Sequence, residues 1–373
     1  MKFICDKTIL CEAVNNVSPA VSAKSTLMAL ECILLRCRNG QLSVIGYNLE
    51  LGITKQLTVQ SSENGDIILN ARLFGEIINR MPNTELTIST DDKLLTIIKG
   101  GGVHFTILGM SADEYPEIPV VSEEHSFRLP AETLRSMISQ TLYAVSQDTS
   151  TPVLTGTLFE KKGENLYLVS VDGCRLALRK EPVDGAEDFR FVVPGKTLSE
   201  LLKLTARTDG EEAVQVKVGT KHILFECGGY TVISRLLEGE FIDYRAAIPK
   251  EYKTRLTISA RMFLESINRA SIIISEKIKN PVKAVFENGE ALISCETAMG
   301  KVSDSIPVQL EGEPVRIGFN NKYMTDALKA SELDELVIEI NTAFSPIKLL
   351  PQEGDHFVFL VMPMRLKDDH ETH

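Results

Sequence analysis

The sequence predicts an α+β protein built from three tandem copies of one domain, each with two helices packed on an antiparallel sheet. Three observations predict this. A block of helix, strands, second helix and short strand recurs at a spacing of about 125 residues. The blocks end on related segments, HFTILGMSADEYPEIP (104–119), TVISRLLEGEFIDYRAAIP (231–249) and HFVFLVMPMRL (356–366). A chain of 373 residues also exceeds what a single hydrophobic core organises.

Each block opens with helical periodicity, at 8–17, 131–145 and 260–270. The second and third openings are alike, TLRSMISQTLYAVS beside FLESINRASIIIS, and each leads to a strand ending in Phe-Glu, at 159–160 and 286–287. Alternating strands follow in LSVIGYNLELGI (42–53), LYLVSVDGCRLALR (166–179) and ALISCETAMGKVSDSI (291–306). The second helices fall at 71–80, 195–207 and 321–330, trailed by ELTIST (85–90), AVQVKV (213–218) and ELVIEI (335–340). Helices covering one face of an antiparallel sheet satisfy this order. Polar joins place the domains at 1–122, 126–249 and 250–366, with 367–373 as a charged tail. In the last block, FVFLVMPMRL begins as an apolar run of strand length, and Pro363 marks the point where the chain leaves the sheet.

The ten residues MKFICDKTIL lack the apolar stretch of a secretion signal, and no run approaches the length of a membrane span. The seven Cys (5, 11, 32, 37, 174, 227, 295) form no Cys-x-x-Cys pair and are expected as reduced thiols, mostly core fillers, in a cytoplasmic protein.

The net charge of −11 argues against a phosphate-binding surface unless the charge is segregated. It is segregated. Arg72/Glu76/Arg80, Lys196/Glu200/Lys203/Arg207 and Lys322/Asp326/Lys329 each stripe one helical face, and the six helices together carry about +4. Domains joined edge to edge would put all these helices on one wall, suited to duplex contact through phosphates. A head-to-tail dimer closing into a ring would cover the two remaining sheet edges.

Catalytic groupings are missing. The six His show no metal-ligand spacing, and there is no Gly-x-Ser-x-Gly elbow. Lys99-Gly100-Gly101-Gly102 lies between two strands and reads as a hairpin turn. Asp172-Gly173-Cys174-Arg175 offers the best nucleophile, because Arg beside Cys lowers the thiol pKa. No His lies near it in sequence, so it reads as a turn holding a bystander Cys. The chain is expected to have no catalytic residue, no metal and no cofactor, a Cys174-dependent enzyme being the alternative of another class.

The three tandem units, the start Met1-Lys2-Phe3, VDGCRLALR, DYRAAIPK and the ending VMPMRL together resemble the bacterial DNA polymerase III beta subunit, the sliding clamp, over residues 1–366. The resemblance implies a non-catalytic homodimer ring around double-stranded DNA, independent of DNA sequence. It implies a ring opened by an ATP-driven clamp loader, tethering the polymerase III catalytic subunit and other polymerases and repair proteins through short clamp-binding peptides. A clamp-like paralogue that binds peptides without DNA loading is the nearer alternative. By position, DNA contact falls to Lys24, Arg72, Gln147 and Lys196. The peptide pocket falls to Leu154, Val171, Gly173, Cys174, Arg175 and Leu176, with Ile242, Ala246, Ala247, Phe344, Pro346, Leu360, Met362, Pro363, Met364 and Arg365. The ring interface pairs Phe105 and Ile107 with Ile272 and Ile273 of the second protomer. Cys174, Ala246 and the loop QDTST (147–151) depart from the family pattern, where His or another bulky polar residue, Arg, and a further Arg are frequent.

Overall fold

Local capping signals set the helices. A computed structural model describes residues 1–184, 187–274 and 280–366, so the tail 367–373 lies outside the described residues. The helices are α1 (Lys7–Val17), α2 (Ala71–Arg80), α3 (Ala131–Leu142), α4 (Gly195–Thr205), the short α5 (Tyr244–Ala247), α6 (Ala260–Ser271) and α7 (Asn321–Ser331). Asp6, Asn70, Ser259 and Asn320 stand just before α1, α2, α6 and α7, and each side chain accepts a hydrogen bond from an otherwise unpaired amide of the first turn.

Among the described residues every strand pairing is antiparallel, in four sheets. The chain forms two compact units. One comprises Met1–Arg135 with Lys196–Leu236, the other Ser136–Gly195 with the chain from Leu237 onward. The first unit holds a five-stranded sheet ending at the strand Val103–Leu108, and an eight-stranded sheet in which Tyr230–Arg235 pairs with Leu51–Thr58. The second holds a nine-stranded sheet in which Arg175–Pro182 pairs with Phe357–Val361, and a four-stranded sheet ending at Gly300–Pro307.

This differs from one sheet per domain. The middle repeat gives His125–Pro130 and the strands between 213 and 235 to the eight-stranded sheet, and those between 156 and 194 to the nine-stranded one. The closing strand of each later repeat completes a sheet begun by the repeat before it, so edge amides and carbonyls are paired rather than left to water.

The paired hairpins share one turn. Asn48 Oδ1 accepts from the amides of Glu50 and Leu51, and Asp172 Oδ1 accepts from those of Cys174 and Arg175. Thr297 Oγ1 accepts from the amide of Met299 at the matching point of the third repeat. Gly173, with φ of +84°, supplies the left-handed residue that this turn needs, and Leu49 adopts φ of +75° in the same place.

Two helices end short of the sequence expectation. Expected to reach 145, α3 stops at Leu142, where the chain tightens into three-residue turns, the Ala144 amide bonding to the Thr141 carbonyl and the Val145 amide to that of Leu142. α4 ends at Thr205 rather than 207, where the amides of Arg207 and Thr208 reach back three residues, to Leu204 and Thr205, instead of four.

Candidate functional site

The groove residues start from the Asp172 turn. It delivers Leu176 inward, and Val171, Leu176, Leu360 and Leu154 meet in one apolar cluster with Phe241 and Tyr244. Cys174 sits on the lip, where its carbonyl accepts from the Met362 amide at 2.8 Å. Pro346 directly precedes Ile347, which pairs with Val361 in the neighbouring strand. Ile242 and Met362 are each 41% exposed and Phe344 76%, so large apolar side chains stand open to water beside the buried cluster. Ala246 and Ala247 are exposed on α5.

The chain leaves the nine-stranded sheet at Pro363, as expected. The strand ends at Val361, Met362 still bonds to Cys174, and Pro363 then bridges Phe319 while the Met364 amide bonds to Gly318. The segment therefore crosses from the nine-stranded sheet to the edge of the four-stranded one, held at both ends.

Arg175 is not a free charge. Its side chain is 10% exposed and pairs with Asp172 at 2.8 Å and Asp326 at 2.6 Å. Its guanidinium lies 4.7 Å from the Tyr323 ring centroid and 5.4 Å from that of Tyr143. Burial alone would lower its pKa, but the two carboxylates outweigh burial and hold it above its ordinary value. Tyr323 is pushed up by burial and by neighbouring Cys174 and Asp172. Arg365, in contrast, is exposed and has no ion-pair partner among the described residues. Tyr143, Asp172, Tyr323 and Asp326 support Arg175 without any sequence pattern that marks them together. Asp172 was legible three residues from Arg175, whereas Asp326 is 151 residues away.

The helical charges sort into paired and unpaired. Arg72 meets Glu76 at 3.3 Å, Lys203 meets Glu200 at 2.8 Å and Arg207 meets Glu12 at 3.6 Å, all partly solvated. Lys24, Arg80, Lys196, Lys322 and Lys329 are exposed with no ion-pair partner among the described residues. The loop that carries Lys24 borders a cleft of about 560 Å³ lined by Ser22, Ala23, Glu31, Asn70 and Arg72. Lys196 lies in the same compact unit, whereas Gln147 lies exposed in the other.

All seven thiols are free, and five are buried. Desolvation pushes Cys5 and Cys32 up to about 11, which makes them inert fillers. Among the described residues no group of His, Cys, Asp and Glu could hold a metal ion, and no helix is long and apolar enough to cross a membrane.

Three α+β repeats sharing strands at their joins define a clamp fold. Comparison with known proteins identifies which clamp. Family models of the DNA polymerase III beta subunit match successive parts of the chain: the N-terminal domain at 1–119, the central domain at 128–243 and the C-terminal domain at 245–365. The beta sliding clamp of Halalkalibacterium halodurans is 34% identical over 98% of this chain and 100% of its own length. The crystal structure of the DNA polymerase sliding clamp from Bacillus subtilis superposes with a TM-score of 0.94 at 33% identity, over 98% of this chain and 100% of that one. A putative DNA polymerase III beta subunit from Eubacterium rectale gives 0.93 at 32% identity, over 98% and 99%. The chain belongs to the DNA polymerase III beta subunit family. Its function is that of a DNA sliding clamp, a non-catalytic processivity subunit.

Proposed function

We propose that two copies of this chain close head to tail into a ring around duplex DNA, in the bacterial cytoplasm, with domains at 1–122, 126–249 and 250–366. The groove holds short peptides from the polymerase III catalytic subunit, the clamp loader and other polymerases and repair proteins, admitting their Leu and aromatic side chains. Lys24, Arg72, Gln147 and Lys196 face the phosphates.

The register of the two internal joins carries the ring. Counted from the shared turn, Leu51 corresponds to Arg175 and to Gly300. Leu51 pairs with Ser234, and Arg175 pairs with Val361. Counted from the bonds Met110 to Ile68, Leu237 to Val192 and Met364 to Gly318, Ser234 and Val361 correspond to Ile107. Both joins thus have one register, and one complementary pair of edges is left over, Val103–Leu108 and Gly300–Pro307. The joined strand Tyr230–Arg235 is largely buried, whereas Val103–Leu108 is largely exposed, with Phe105 38% open. Pairing those edges between two copies in the same register sets Ile107 opposite Gly300 and Thr106 opposite Lys301.

The same correspondence supports the expected side-chain contacts. Phe359 matches Phe105 and Tyr143 matches Ile272, and the Tyr143 and Phe359 rings meet edge to face at 5.7 Å in the second unit.

A Thr106→Cys, Lys301→Cys variant, with Cys11 and Cys174 replaced by Ser, tests the register. Oxidation is expected to give a covalent dimer retained on circular DNA and released on linearisation. Shifting one Cys to Val302 turns the side chains to opposite faces and is expected to abolish the cross-link. A monomeric mass at micromolar concentration, or equal loss from circular and linear DNA, would sink the ring.

A further inference from the structure

One wall of the groove lacks sheet support. Ile242, Ala246 and Ala247 ride on 241–249, a stretch whose only regular structure is the four residues of α5. Polar contacts hold it at three points. Arg190 Nη2 donates to the Phe241 carbonyl at 3.1 Å. Lys348 Nζ donates to the Pro249 carbonyl at 3.2 Å and pairs with Glu339 at 2.6 Å. Between them stands Glu160, 8% exposed, on the strand Gly156–Lys162. Its Oε2 accepts from the Tyr244 hydroxyl at 2.6 Å and from Arg245 Nη2 at 2.5 Å, and its Oε1 accepts from Arg245 Nη1 at 3.3 Å. The Arg245 guanidinium also lies 4.6 Å from the Tyr244 ring centroid. A carboxylate this far from water is retained only where its hydrogen bonds are satisfied, and both donors that satisfy it lie on the groove wall.

We infer that Glu160 is a positioning residue for the peptide groove: its carboxylate fixes Tyr244 and Arg245, and through them presents Ile242, Ala246 and Ala247 before a peptide arrives. The inference rests on reading the groove as the peptide site. Glu160 itself stays beneath the wall. Its contribution is preorganisation, which raises affinity by removing the ordering cost from the binding step.

The test uses the full-length protein and a fluorescein-labelled hexapeptide carrying two Leu and a terminal Phe, with amide hydrogen exchange followed over 241–249. Glu160→Gln keeps the shape and the acceptor for Tyr244 but removes the charge facing Arg245. It is expected to raise the peptide Kd roughly tenfold and to speed exchange in 241–249, with oligomeric mass unchanged and the thermal midpoint lowered by no more than the ion pair's own contribution. Arg245→Met is expected to do the same, and the double variant to be no weaker than either single one. Because the Arg245 side chain is 43% exposed, that variant carries the test if Glu160→Gln folds poorly. Wild-type binding with both variants equally tight overturns the inference and leaves the groove reading standing. Weakened binding with unchanged exchange overturns it too. Failure of the wild type to bind the hexapeptide overturns the groove reading itself.

Discussion

At Arg175 one guanidinium is held by two carboxylates and two rings, and this decides what its removal does. Arg175→Met leaves Asp172 and Asp326 facing each other without a counter-charge, at a cost of about 3 kcal/mol in denaturant unfolding. Arg175→Lys is expected to recover little, because an ammonium neither forks between two carboxylates nor stacks on Tyr323. Glu160 gives the pH prediction. Burial pushes its carboxyl up, but hydrogen bonds from Arg245 and Tyr244 outweigh burial and hold it below its ordinary 4.5. Its contribution to stability is therefore complete above pH 4.5 and lost as pH falls through the lower folded value. Acid titration of the unfolding midpoint should show this loss in the wild type and not in Glu160→Gln. The residue scale was the least legible in the sequence. Asp172 could be read from its three-residue spacing to Arg175, but Asp326 and Glu160 find their partners only through the fold.

Elements were more legible, because their signals are local. The helix over 71–80 has the bounds its sequence predicts, since Asn70 caps it and the chain turns extended at Met81. The overlong expectations for α3 and α4 share one form, a last turn that tightens from four-residue to three-residue bonding and that apolar periodicity does not distinguish from helix. Packing of α1 gives a paired prediction. A Cβ added at Gly46 would stand 2.3 Å from the Val17 carbonyl oxygen, so Gly46→Ala should destabilise by about 2 kcal/mol through overpacking. A Cβ at Gly75, inside α2, would meet only Val14 Cγ1 at 3.8 Å, and Gly75→Ala should stabilise by about 0.5 kcal/mol. Opposite signs in urea unfolding check both.

On the scale of the molecule, three copies of one domain and the segregation of charge could be read directly, because repeats survive as order and spacing even where residues differ. The sharing of strands could not. Nothing in Phe357–Val361 as a string says that its neighbour is Arg175–Pro182, since antiparallel edges carry no local signature of partner choice. Arg175 also has a consequence for salt. With its charge neutralised internally and the floor apolar, the groove offers a peptide carboxylate little beyond Arg365. Peptide Kd should change less than about threefold between 50 and 300 mM salt, whereas the proposed contact with phosphates through Lys24, Arg72 and Lys196 should weaken steeply. In the proposed ring, rising ionic strength would then loosen the grip on DNA while leaving the bound partner in place, so that the ring slides more freely without shedding its cargo.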